Sequence, residues 1–199
     1  MFFRLPDHQR GYALVARDDG VIYRLDGGPV TAALPHDLVH LVVEDTIGID
    51  NGIWGAIAGG VVFRSMTHQS GRRPPHAADR SAALIREHRD SLHRAELVGG
   101  LIERVARGQL PADVATRQSG LELGQVRGTA QALHEAEARW QALPIGGQLS
   151  CHWPAHRRVG APMIRRNTKR HSRSSRPTAS SSTSSRLQNA NRTSRRPAS

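Results

Sequence analysis

Two histidines four residues apart carry the most specific chemical pattern in this sequence. In His36-Asp37-Leu38-Val39-His40 the imidazoles fall at i and i+4, so on a helix they project from one face. Zinc hydrolases of the H-E-x-x-H type present two metal ligands in this way, with the intervening acid as general base. Here the acid is Asp37, one methylene shorter than glutamate. His36 and His40 are thus candidate ligands, Asp37 a candidate catalytic base, and zinc the candidate cofactor. A third ligand is required. Glu44 lies eight residues beyond His36, roughly 12 Å along a helix, and is poorly placed. His68, Glu87 or His88 could serve only if a later helix packs across this one. An architectural reading competes: Asp37 suits the positive end of the helix dipole, and the rings could bridge a half-buried face, hydrogen-bonded to Glu44 or a sheet. The sequence favours that reading, because a motif stays a hypothesis until its context is found.

Other chemistry is mostly excluded. Lys169 is the sole lysine and lies near the C-terminus, so residues 1–150 hold no P-loop lysine, no Schiff-base lysine and no kinase-type lysine. Cys151 is the sole cysteine, which rules out an intramolecular disulfide and a multi-cysteine zinc site. Paired with His152 or His156 it could be a thiol nucleophile or half a metal site, but a strand end is a poor setting for either. No G-x-S-x-G elbow occurs. Val114 to Val126 weakly resembles a helix-turn-helix, which would turn Gln125, Arg127, Thr129 and Gln131 toward a major groove. Its first half is one residue too long, and Glu135 and Glu137 follow, so an ordinary helical hairpin is the better reading.

The elements that must position the histidines are legible around them. Pro35 suits a first helical turn and Asp37 its dipole, while Gly48 suits a left-handed C-terminal cap. A helix is expected from about Leu34 to Ile47. Asp50 or Asn51 would cap a second helix, rich in glycine and alanine, whose apolar run is half the ~20 residues a membrane span needs. Tyr12 to Leu25 reads as a hairpin about Asp19-Gly20, with Tyr12, Leu14 and Ala16 sharing a side with Val21, Tyr23 and Leu25. Thr67 to Asp79 reads as a flexible connector. A long helix then runs to about Gly108, with Gly99-Gly100 marking a kink or a close helix crossing. Two shorter helical stretches follow, and Gln148 to Trp153 would form a strand beside the hairpin.

Charge divides the chain. Residues 1–150 hold 16 Arg against 17 acids, whereas residues 151–199 hold 11 Arg, one Lys and no acid, so the net +11 belongs to the tail. From Pro154 the chain is rich in Arg and Ser and lacks aromatics, a composition that cannot bury enough surface to fold. Arg157, Arg158, Arg165, Arg166, Lys169 and Arg170 could contact nucleic acid through phosphate neutralisation, without base stacking. Neither a signal peptide nor a membrane span is apparent, which points to a cytoplasmic protein and no membrane partner.

The stretch LPHDLVHLVVEDTIGIDNGIWGAIAGG resembles a group of uncharacterised actinobacterial proteins that share LPHD-x-x-H-x-x-VE followed by a glycine-rich helix. The likeness extends from about Tyr12 to Trp153 and includes the W-x-A-L-P-x-G-G turn at Trp140 to Gly147. It implies a domain boundary near Pro154 and no particular chemistry. It also makes the tail an addition, for which an out-of-frame reading of a GC-rich gene, a frameshift or gene-model artefact, stands beside a functional origin.

The expected fold is α+β: an N-terminal hairpin and a C-terminal strand in a small antiparallel sheet, packed with four to five helices, as one domain over residues 1–153. A disordered basic tail over residues 154–199 follows. The first functional expectation is a non-catalytic interaction or scaffold module that meets an unknown protein partner or another copy of itself. The alternatives are a metal-dependent hydrolase using the H-D-x-x-H motif and a nucleic-acid-associated protein acting through the tail.

Overall fold

In the computed structural model, which describes residues 1–5, 10–29, 34–154 and 156–159, five antiparallel strands and six helices form an α+β domain. The strands are β1 (Phe2–Arg4), β2 (Arg10–Ala16), β3 (Ile22–Pro29), β4 (Met66–Ser70) and β5 (Gln148–Leu149), in the spatial order β4-β3-β2-β1-β5. Of the strand expected over Gln148 to Trp153 only Gln148–Leu149 forms, and β1 lies between it and the hairpin, pairing Phe2 with both Ala13 and Leu149. The opposite edge is β4, in the stretch expected to be an irregular connector. Alternation there is weak because Met66 alone in β4 is buried.

The hairpin register differs from expectation by one residue. Arg17 N–H donates to Val21 O at 3.0 Å and Gly20 N–H to Arg17 O at 3.0 Å, with Gly20 at φ 76°. The loop is therefore the three residues 18–20 rather than a two-residue Asp-Gly turn. One extra loop residue exchanges the faces of a strand relative to its partner. Ala13 and Val15 thus face inward with Leu25 and Tyr23, while Tyr12, Leu14 and Ala16 lie on the outer side opposite Asp26, Arg24 and Ile22. On that outer side Tyr12 stacks on Phe3 at 4.7 Å between centroids and carries the Arg24 guanidinium at 4.3 Å.

The helices are α1 (His36–Ile47), α2 (Ile53–Gly59), α3 (Ala77–Glu87), α4 (Arg89–Ala106), α5 (Ala112–Ser119) and α6 (Leu123–Gln141). Helix α1 is the hub, packing against α2, α4, α6 and β3, and accordingly buries Leu38, Val39, Leu41 and Val43 on several sides. It ends at Gly48, whose φ of 82° is the left-handed cap expected of it. No helix among the described residues is long and apolar enough to cross a membrane.

Neither Asp50 nor Asn51 caps α2. Its N-terminal N–H groups, on Ile53 and Trp54, donate instead to the two carboxylate oxygens of Glu44 at 2.8 and 3.0 Å. This cap comes from the preceding helix, and Gly52 makes it possible: a Cβ there would lie 2.5 Å from the Glu44 carboxyl carbon. The expected long third helix is two helices meeting at His88, not a helix bent at Gly99-Gly100. Helix α3 is tied to the loop after α2 by Ser81, whose hydroxyl accepts from Val62 N–H at 2.9 Å and donates to Val62 O at 3.3 Å. Helix α4 instead follows α1 and α6.

The domain continues beyond the expected boundary at residue 153. Arg157 is 7% exposed, and its guanidinium donates to Asp50 Oδ1 at 2.5 Å, Asp45 Oδ1 at 2.6 Å, Glu44 O at 2.8 Å and Ile49 O at 3.3 Å. It thereby satisfies carbonyls at the negative end of α1. Its guanidinium also lies 4.4 Å from the Trp153 ring centroid. Val159 is buried against Gly59 and donates its N–H to Gly55 O at 3.1 Å. Trp153, Arg157 and Val159 thus strap across α1 and α2. The remainder of the expected tail lies outside the described residues.

Candidate metal centre

Helix α1 places His36 and His40 one turn apart on one face, with ring centroids 4.6 Å apart. That face meets α4, whose Glu96 extends its carboxylate between them: Oε2 lies 3.1 Å from His40 Nε2 and 4.0 Å from His36 Nε2. One donor atom from each of the three residues falls within 4.8 Å of the others. Tetrahedral ligands of zinc at its usual bond lengths stand about 3.3 Å apart, so small side-chain rotations would bring the group to coordinating geometry. His40 is 3% exposed, while His36 and Glu96 have half-exposed side chains. The group is anchored on its inner side and open to solvent on the other.

Glycine sets the spacing. Gly99, one turn after Glu96, lies against the His40 ring so closely that a Cβ would come 2.7 Å from Cε1 and 3.0 Å from Nδ1. A side chain there would push apart the helices that bring the imidazole and the carboxylate together. The expected close crossing at Gly99-Gly100 is therefore real, and its partner is His40.

Electrostatics couple the members. Burial alone would lower the pKa of His40, but the hydrogen bond to Glu96 and the charges of Glu96, Glu44 and Asp37 outweigh it and raise the value. The same hydrogen bond holds the Glu96 carboxyl below its ordinary range, against a smaller opposing effect of burial. Asp37 is raised by desolvation, with His36 and His40 pulling the other way. Glu44, fully buried beneath α2, is pushed up to about 7 by burial despite its two backbone donors. His40 Nδ1 is buried without a hydrogen-bond partner among the described residues.

Comparison with protein-family models, curated proteins and solved structures finds no match. The geometry must therefore be read by itself.

Of the residues singled out in the sequence, His36 and His40 converge and Glu96 joins them; His68, Glu87 and His88 do not. Glu44 belongs to α2 rather than to the centre. Asp37 is near enough to feel all three charges, and its backbone oxygen accepts from Trp54 Nε1–H at 3.0 Å. Glu96 was missed because nothing local marks it, although Gly99 three residues later was a usable signal.

The remaining candidates fare differently. Thr129 is 1% exposed with its hydroxyl bonded to Gln125 O at 2.7 Å, so it cannot face a DNA groove. Cys151 is half-buried, and burial pushes its thiol pKa up, away from the thiolate a nucleophile needs. Arg157 is committed to the strap and is not free to meet a phosphate. Arg158 is exposed, while Arg165, Arg166, Lys169 and Arg170 lie outside the described residues.

Proposed function

We propose that this protein holds a divalent transition metal, with zinc the best match, on His36, His40 and Glu96, and uses the solvent-facing position for hydrolytic chemistry. The observation that supports this reading is the convergence of two imidazoles and a carboxylate from different helices within 4.8 Å. Two histidines with one glutamate form a ligand set found in catalytic zinc sites, where a fourth position is left to water. A bound zinc ion would supply an activated water near neutral pH. Asp37 follows His36 at the position that the general base occupies in H-E-x-x-H sites, and it is the candidate proton acceptor. The exposure of His36 and Glu96 favours a substrate presented at a surface over one enclosed in a deep cleft.

His40 limits the affinity. With Nε2 ligating, the neutral ring carries its proton on Nδ1, for which no described group is an acceptor. Metal-binding histidines normally donate that proton to a second group, and losing such a partner costs about 10–100-fold in affinity. The ion is expected to be exchangeable and removable by mild chelation.

Cobalt titration of the chelator-treated full chain tests the reading. Intense visible absorption bands at one equivalent, displaced by zinc and absent in His36→Ala, His40→Ala and Glu96→Ala, are expected. A wild-type protein giving neither bands nor a zinc-dependent rise in melting temperature would reject it.

A further inference from the structure

Helix α5 ends at Ser119 and α6 begins at Leu123, with the three residues Gly120 to Glu122 between them. Gly120, at φ 70°, turns the chain in the left-handed conformation. Ser119 fixes the turn from inside: it is buried, donates its hydroxyl to Ala115 O at 2.7 Å and accepts from Leu121 N–H at 3.2 Å. The step from Ala115 to Gly120, one residue longer than usual, is therefore taken up within the last turn of α5, and the link itself keeps helix-turn-helix length. Helix α4 packs against both helices, and Ala115, Val126 and Ala130 lie buried in the common core.

The outer face of α6 takes no part in that core. Gly124, Arg127, Gly128 and Gln131 fall at i, i+3, i+4 and i+7 and are all exposed, and Leu123 beside them is 37% exposed. An added Cβ at Gly124 or Gly128 would meet nothing within 4 Å. Exposed glycines weaken a helix, and packing among the described residues does not call for these two. They leave the helix backbone bare where a partner can come close. Gln125 and Thr129, by contrast, are spent within the helix, Gln125 in the capping box with Glu122 and Thr129 on Gln125 O.

We infer that α5 and α6 form a DNA-reading helix-turn-helix, with the N-terminal half of α6 entering the major groove through Leu123, Arg127 and Gln131. In this mode the second helix meets base edges with its N-terminal residues. The side chains match what the groove presents: Arg127 can bond guanine O6 and N7, Gln131 adenine N6 and N7, and Leu123 can cover a thymine methyl group. Gln131 reaches the groove by giving up an exposed 3.3 Å bond to Glu135. A protein partner would call for several apolar side chains, and this face offers Leu123 alone among donors and glycines. Residues 1–150 hold 16 Arg against 17 acids, so phosphate attraction comes from residues 160–199, with nine Arg, one Lys and no acid. That attraction is the same for every sequence, and α6 supplies the discrimination. None of these residues belongs to the His36, His40 and Glu96 group.

Selection of duplexes from a random library by the full chain, followed by anisotropy titrations at physiological salt, tests this. A short motif should be enriched and bound at least about thirtyfold more tightly than a scrambled duplex, as two good base contacts imply. Arg127→Ala should relax one position of the motif and cut the preference about tenfold. Gly128→Glu, which places a carboxylate on the groove face, should abolish it with melting temperature retained. Both variants should keep the weak, salt-sensitive binding of scrambled duplex. Arg72→Gln, an exposed charge change outside the three helices, should keep the preference. Failure to enrich any sequence, equal affinity for selected and scrambled duplexes, or a preference that survives Gly128→Glu would overturn the inference. So would an equal loss in Arg72→Gln, since net charge alone would then explain binding.

Discussion

Gly99 of α4 lies directly under the imidazole of His40, with no room for even one carbon: a Cβ would stand 2.7 Å from Cε1. Gly99→Ala must therefore displace the ring or separate α1 from α4. We expect a loss of about 1–3 kcal/mol, the usual cost of overpacking, together with loss of cobalt binding. Gly100→Ala, on the open side of α4, should be neutral or slightly stabilising by helix propensity. Thermal melts and cobalt titrations of the two variants, run side by side, check the contrast.

Glu96 should separate ligation from packing. Its side chain is half-exposed and, among the described residues, its hydrogen bond runs to His40 alone, so Glu96→Gln should change stability by less than about 1 kcal/mol. Metal affinity should nevertheless fall at least tenfold, because an amide oxygen is a much weaker ligand for zinc than a carboxylate. Parallel denaturant and zinc titrations would show both.

The metal-free protein should lose stability as pH rises toward 8. Glu44 has a folded pKa of about 7 against an ordinary value of 4.5, so between these values the folded state retains a proton that the unfolded chain has released. Its contribution is complete below the lower value and is lost as pH passes through the upper one. That amounts to on the order of 3 kcal/mol. His40, also raised, acts in the same direction: its contribution is present below the unfolded value of 6.5 and disappears through the folded one. Zinc reverses the trend, since ligation requires unprotonated imidazole. Denaturant midpoints at pH 5.5 and 8, with and without zinc, should cross in this order.

Glu44→Gln retains shape but replaces one acceptor by a donor. Either Ile53 or Trp54 would then face an N–H group across about 3 Å instead of an oxygen. A cost of about 1–3 kcal/mol follows, along with loss of the acid-side stabilisation, visible as a flatter dependence of melting temperature on pH.

The strap predicts where the domain can be cut. A chain ending at residue 154 loses Arg157 and Val159, hence the donors to Glu44 O and Ile49 O and the cover over Gly59. Its melting temperature should fall by about 5–10 °C relative to a chain ending at residue 159. Arg157→Met in the full chain should reproduce part of the loss, about 2 kcal/mol.

These particulars show where sequence reasoning succeeds. Helix α1 was legible because Pro35, Asp37 and Gly48 are local signals, each with its own backbone consequence. The two histidines were legible because their spacing matches the helical period. Glu96 was not, since which face of α4 crosses α1 is decided by packing and not by any neighbour in sequence. The hairpin was placed correctly but paired one residue out of step, because Asp19-Gly20 fits both a two-residue turn and the end of a three-residue loop. The α2 cap was misassigned for the same kind of reason: Asp50 and Asn51 are good local caps, but Glu44 reaches the site from the preceding helix. Arg157 was hidden by the composition of its surroundings, where an arginine among arginines and serines reads as solvated.

The strap also fixes an order of events during synthesis. Asp45 and Arg157 are 112 residues apart, and β1 near the start of the chain completes its pairing only with β5 near residue 149. A ribosome making the protein at about 5–20 residues per second would expose α1 with its carbonyl end unclosed, and β1 with one edge open, for several seconds before the closing segments emerge. During that interval the aggregation-prone surfaces of the nascent chain are the end of α1 and the free edge of β1, both later sealed by the last described residues.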